Sequence, residues 1–166
     1  MNTEDIEKKL AELKPSDPLP EDLDNIIESI SINGISNYPW DTLQKLLTEK
    51  TRRSLNQSNK MYPFKAQDGK SYDDQISVIF DELEKLESIP FTIQRICELL
   101  TETNGINVYK NTNKYIMALQ KVLNIYLSAS TLYKESQPIV NLPGTMPMSL
   151  DQVPISDFDP ETKAPW

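Results

Sequence analysis

The 166-residue chain contains no histidine, one cysteine and four glycines. Without histidine it lacks the commonest general base, proton shuttle and metal ligand, so serine triads, cysteine–histidine dyads and imidazole metal centres are excluded. The lone Cys97 can form neither an internal disulfide nor a thiolate zinc site, which fits a reducing compartment. Gly34, Gly69, Gly105 and Gly144 are too far apart for a phosphate-cradling loop or a dinucleotide fingerprint. No run of about eighteen apolar residues occurs, and the opening MNTEDIEKKLAELKP lacks the apolar stretch of a signal peptide. A soluble protein of the cytoplasm or nucleus is expected. Positive charge is also short: 17 Lys and Arg against 25 Asp and Glu leave a formal charge of −8. Nucleic acid and anionic membranes are therefore poor partners, and proteins are the expected ones.

What remains for an enzyme is a carboxylate mechanism, with Asp73 and Asp74 or Asp157 and Asp159 as the candidate pairs. Asp73 and Asp74, however, follow Ser71 in what reads as a helix's first turn. Negative charge there complements the helix dipole and caps free N–H groups. No pair of carboxylates in a shared pocket can be nominated from spacing, so no catalytic, cofactor-binding or metal-ligating residue is assigned and no cofactor is expected.

Apolar residues recur at three- and four-residue spacing, which predicts an all-α fold: an irregular array of about six helices. The first is expected over 3–14, capped by Thr3, with Ile6, Leu10 and Leu13 on one face and Pro15 as the stop. Pro20 opens the second, whose stripe is Leu23, Ile26, Ile27 and Ile30 and whose end is Gly34. The third begins at Pro39–Trp40, turns Leu43, Leu46, Leu47 and Leu55 inward, and is expected to end among Lys50, Arg52 and Arg53. Those cations would complement the dipole at a helix C-terminus or meet an acidic partner, and the first reading is preferred. Residues 57–70 read as a loop containing an Asp-Gly turn. A helix over 71–87 lays Tyr72, Ile76, Ile79, Phe80, Leu83 and Leu86 on one side and Asp81, Glu82, Glu84 and Glu87 toward water. The next, beginning near Ile89, carries Phe91, Ile93, Ile96, Cys97, Leu99 and Leu100 and stops at 101–105. The last, over 112–130, is apolar almost all round and should be buried on several sides.

After residue 137 the composition changes, because half of the twelve prolines fall there and no helical period survives. A helical domain over 1–136 followed by an extended Pro-rich tail, 137–166, is the expected organisation. Ile139, Val140, Leu142, Met146, Met148, Val153, Ile155 and Phe158 are too many apolar points for a spacer. The tail is expected to dock on its own domain in preference to a partner.

The phrase IPFTIQRICELLTE, with YPWDTLQKLL and KMYPF before it and SYDDQISVIFDELEKLESIPF leading into it, resembles the N-terminal domain of the protein phosphatase 4 regulatory subunit 2 family. The helix NTNKYIMALQKVLNIYLSAS sits where that family closes its domain, so the resemblance covers about residues 38–130. It implies a non-catalytic regulatory or scaffold subunit. Such a subunit would bind the protein phosphatase 4 catalytic subunit together with regulatory subunit 3 and direct dephosphorylation of phosphoserine and phosphothreonine proteins. Nuclear and cytoplasmic location and a part in DNA-damage recovery are implied as well. An alternative is a helical peptide-binding module whose own Pro-rich tail is autoinhibitory and which has no link to a phosphatase.

Candidate partner-binding residues follow from the faces of the helix after Ile89. Ile93, Ile96, Cys97 and Leu100 belong to the core, and Cys97 is read as a small apolar side chain. Gln94, Arg95, Glu98 and Glu102 occupy the other side, where an arginine beside carboxylates is either an interface anchor or an internal ion-pair partner. Pro90 and Phe91 either fix the helix entry by packing or present an aromatic to a partner, and packing is preferred. Trp40 poses the same choice, with the interior preferred.

Overall fold

A computed structural model describes the backbone of residues 1–136 and the side chains of residues 1–124. Within that span the chain is all-helical: α1 (Thr3–Glu12), α2 (Glu21–Asn33), α3 (Trp40–Met61), α4 (Tyr72–Glu84), α5 (Ile93–Leu100), α6 (Ile106–Tyr109) and α7 (Thr112–Ser136). The expected Pro-rich tail, 137–166, lies outside the described residues, and so do Asp157 and Asp159.

The helices start where local chemistry dictates. Asn2, not Thr3, caps α1: its side chain accepts from the Asp5 amide at 2.8 Å. Ser71 and Asp74 form a reciprocal capping box on α4, with the Asp74 amide donating to Ser71 Oγ (3.2 Å) and the Ser71 amide donating to Asp74 Oδ2 (2.8 Å). These bonds to the charged form hold the Asp74 carboxyl below its ordinary range. Asp74, one member of the candidate carboxylate pair, is thus a helix cap, as read from the sequence. At the end of α2, Gly34 takes the left-handed conformation (φ 71°) and its amide closes on Ile30 O at 2.8 Å.

The inward stripes meet in one core. Leu23, Leu47, Ile79, Cys97, Leu99 and Tyr115 are among its fully buried members, and Leu43, Leu46 and Leu55 of α3 are buried as expected. Helix α2 packs against α5, α4 against α7, and α3 lies among α1, α4, α5 and α7. Tyr115 satisfies its buried hydroxyl by donating to Leu99 O at 2.8 Å, joining α7 to the end of α5.

Several expected boundaries are corrected. Helix α3 does not end among Lys50, Arg52 and Arg53; it continues to Met61. Its last turns carry serine and asparagine rather than leucine, which erases the apolar period, but Ser54 and Ser58 are buried there. Ser58 Oγ shares a 2.9 Å hydrogen bond with Thr112 Oγ1, and Thr112 also donates to Tyr62 O. Tertiary bonds to α7 thus replace the missing stripe. The three cations sit mid-helix in ion pairs, Lys50 with Asp24 and both arginines with Glu49, and Arg52 also lies over the Phe80 ring.

Helix α4 stops at Glu84, and Glu82 is largely covered instead of facing water. Helix α5 begins only at Ile93, because Pro90 bars a helical Ile89. Between α5 and α7 the chain adds the one-turn α6 after Gly105. A side chain at Gly105 would fall 2.0 Å from Leu99 O, so only glycine fits the turn. Finally, α7 extends to Ser136, and its described part is not buried all round. Tyr115, Ile116, Leu119 and Leu123 face the core, whereas Met117 is 63% exposed. The side chains of Ile125, Tyr126 and Leu127 lie outside those described.

Candidate partner-binding surface

The long pairing of α2 with α5 sets the geometry around the phrase that begins at Ile89. Gln94 lies in the first turn of α5 and donates through Nε2 to Ser31 O (3.2 Å) and Ile32 O (3.1 Å), two of the carbonyls left open at the end of α2. The fit is close, since a Cβ on Gly34 would stand 3.0 Å from Gln94 Oε1. Gln94 is thereby committed to joining two helices.

Around that joint, several apolar side chains keep much of their surface exposed. Ile32 is 79% exposed, Ile35 64% and Phe91 67%, with Ile89 exposed beside it. Pro90 is buried and Phe91 is not, so the expected packing role divides between them: the proline fixes the entry of α5 and the aromatic ring points outward. The expectation that Phe91 belongs to the core stripe is corrected. Residue 91 precedes the first helical turn, so the periodicity of α5 does not extend to it.

On the outward side of α5, Arg95 donates to Glu98 Oε2 at 2.9 Å, an exposed pair one turn apart. Such a pair adds little stability and leaves both groups near the surface. The buried side behaves as read: Cys97 is fully covered, and burial pushes its thiol up to about 12. The thiol is therefore a core side chain and not a nucleophile.

Two of the candidate residues are placed elsewhere. Trp40, half-buried, donates through Nε1 to Leu86 O at 2.7 Å, while Gln44 donates to Leu83 O at 2.7 Å; together they cap the end of α4. Trp40 is thus partly buried and packed against the core. Glu102 lies past the other end of α5, on an open groove of about 670 Å³ that it shares with Asp24, Lys50, Arg53 and Lys60. Phe91, Gln94, Arg95 and Glu98 thus share the entry and first turns of α5, whereas Trp40 sits at the end of α4 and Glu102 past the far end of α5.

Sequence reasoning missed Ile32 and Ile35, which lie at and just past the end of α2. It also missed Arg53 as a clamp: Nε donates to Asp17 O (2.9 Å) and a terminal nitrogen to Lys14 O (3.2 Å), holding the α1–α2 link. Among the described residues no three acidic or cysteine side chains are grouped as metal ligands, and no helix is long and apolar enough to cross a membrane.

Comparison with known proteins decides the family. The PPP4R2 family model matches residues 5–138, most of the chain. The chain belongs to the PPP4R2 family. Among PPP4R2-related proteins, it is 25% identical to the serine/threonine-protein phosphatase 4 regulatory subunit 2 of Drosophila melanogaster, over 70% of this chain and 20% of the relative. It is 24% identical to the Dictyostelium discoideum protein of the same name, over 74% of this chain and 60% of the relative. The chain thus spans a fifth and three-fifths of the two relatives' lengths. No solved structure matches it. The match extends the earlier resemblance, 38–130, upstream over α1 and α2.

Proposed function

We propose that this PPP4R2 chain is a non-catalytic regulatory subunit of protein phosphatase 4. The observation that carries the reading is the family match over residues 5–138, which takes in α2 to α7 and all but the first two residues of α1. The physical features agree with it. A regulator needs surfaces and not proton-transfer groups, and this chain has no histidine, a buried thiol and several exposed apolar side chains near the α2–α5 joint.

The chemistry belongs to the catalytic subunit, and this chain binds that subunit through Phe91, Ile32 and Ile35, with Arg95 and Glu98 at the rim. Exposed aromatic and aliphatic side chains beside an arginine match the composition of interface centres. Gln94 holds the two helices that carry the patch. Regulatory subunit 3 joins the complex, which acts in nucleus and cytoplasm and in recovery from DNA damage; this rests on the family resemblance alone. Dephosphorylation of phosphoserine and phosphothreonine proteins is the activity so directed.

The test is a pull-down of the 166-residue chain with the protein phosphatase 4 catalytic subunit, with and without regulatory subunit 3, beside a related phosphatase. Selective retention of the first catalytic subunit is expected. A folded, helical chain that retains neither phosphatase under either condition overturns the assignment.

A further inference from the structure

The chain is acidic, yet its charge is unevenly placed. No aspartate or glutamate occurs between Glu49 and Asp68, or between Glu102 and Glu135. The structure folds these two acid-free stretches against each other. Asn113 accepts from the Lys65 amide at 3.0 Å and donates to Lys65 O at 2.7 Å, so Lys65 lies against the first turn of α7. Along α7, Lys114, Met117 and Lys121 follow at helical spacing on the side opposite buried Tyr115, Ile116, Leu119 and Leu123. Lys110 and Val108, both exposed, precede them.

Lys65, Lys110, Lys114 and Lys121 form no ion pair among the described residues. Carboxylates flank the face in sequence and fold: Asp68 in the turn after Lys65, Asp73 and Asp74 at the start of α4, with Asp74 held in its capping box, and Glu102, whose carbonyl accepts from the Asn107 amide at 3.2 Å. Helix α4 meets α7 through uncharged groups, Gln120 donating to Gln75 O at 3.1 Å. The result is a basic face with apolar Met117 and Val108 set into it, on a protein whose formal charge is −8.

Such a face fits an acidic segment that also carries apolar side chains, and this chain has one. Residues 151–161, DQVPISDFDPE, hold Asp151, Asp157, Asp159 and Glu161 with Val153, Ile155 and Phe158 between them. We infer that the basic face of α7 binds residues 151–161 of the same chain. Reach permits it. Lys114 lies about 33 Å along the helix axis from Ser136, whereas the fifteen residues from Ser136 to Asp151 span up to about 50 Å. The tether makes the encounter intramolecular and concentrated. Lysines without arginine give diffuse attraction instead of a bidentate clamp, so the contact weakens with salt. The face is distinct from the Phe91 patch, so the inference stands apart from the proposed function.

The experiment uses the full chain with a spin label on a Ser156→Cys variant; Cys97, buried and with its thiol raised, does not take the label. Loss of amide NMR intensity is expected at residues 110–121 and not around Ile32 and Phe91. The loss should disappear at high salt and in the Lys65→Glu, Lys114→Glu, Lys121→Glu variant. It should return when that variant also carries Asp151→Lys, Asp157→Lys and Asp159→Lys, a swap that circular dichroism checks for intact helicity. Three results overturn the inference: no intensity loss at 110–121, loss centred elsewhere, or loss on unlabelled 15N chains mixed with labelled unenriched ones, which would mean contact between copies.

Discussion

At the residue scale, the structure turns single side chains from suspected chemistry into structural parts. Cys97 is the clearest. Its place in the apolar stripe of α5 was legible from periodicity, and full burial raises its thiol to about 12. A thiol protonated when folded but acidic when unfolded adds stability that is complete below its unfolded pKa of about 8.5 and is lost as pH rises from there to the folded value. Two outcomes are expected: thiol reagents at pH 8 should label Cys97 only at the rate of unfolding, and the urea midpoint should fall as pH rises above about 9. Rapid labelling of the native protein would show the burial to be wrong. Gly34 illustrates a residue whose role was half legible. A helix stop was readable from its type, but the second requirement, room for Gln94, is tertiary. Gly34→Ala places a side chain at φ 71° and crowds Gln94, and should cost about 1–2 kcal/mol of stability. Urea titration checks this, with a lower midpoint and an unchanged slope expected.

At the scale of elements, helices with continuous leucine and isoleucine stripes were readable, because burial of one face dictates the pattern: α2, the first half of α3, and the cores of α4 and α5 lie where spacing put them. The failures share a physical cause. The end of α3 is held by hydrogen bonds and not by apolar burial, and the Ser58–Thr112 pair joins residues 54 positions apart, which no local window contains. Helix α6 exists because Gly105 lets the chain fold back on the end of α5, another long-range condition. The α3 case gives a direct test. Thr112→Val keeps the shape but leaves Ser58 Oγ and Tyr62 O without their buried partner, at an expected loss of about 1–3 kcal/mol. Amide exchange should then accelerate in the last two turns of α3 more than in its first half. Uniform exchange along the helix would show that those turns do not depend on α7.

At the scale of the whole molecule, periodicity distinguishes inward from outward faces but does not say which outward faces adjoin. That is why Gln94, Arg95 and Glu98 could be nominated together, while Ile32 at the end of α2 and Ile35 just past it could not, and why Trp40, which starts α3, and Glu102, which lies past α5, were nominated beside them. Phe91 was assigned to the core for the same reason, since position 91 fits an apolar stripe that α5 has not yet begun. Its exposure makes the surface testable. Substitution of an exposed side chain changes stability by about 0.5 kcal/mol or less, whereas loss of an aromatic anchor at the centre of an interface costs about 2 kcal/mol or more, some thirtyfold in affinity. Phe91→Ala, at a side chain 67% exposed, should therefore weaken binding to the catalytic subunit by at least about that factor while the chain stays helical. Arg95→Glu, at the rim, should lower the association rate and its salt dependence with a smaller effect on affinity. Gln94→Ala separates position from contact: it removes the bonds to the end of α2, so stability and binding should both fall. If instead Phe91→Ala binds as the parent does while Lys114→Glu binds less, the catalytic subunit docks on the basic face of α7, and the apolar patch at the α2–α5 joint faces another partner.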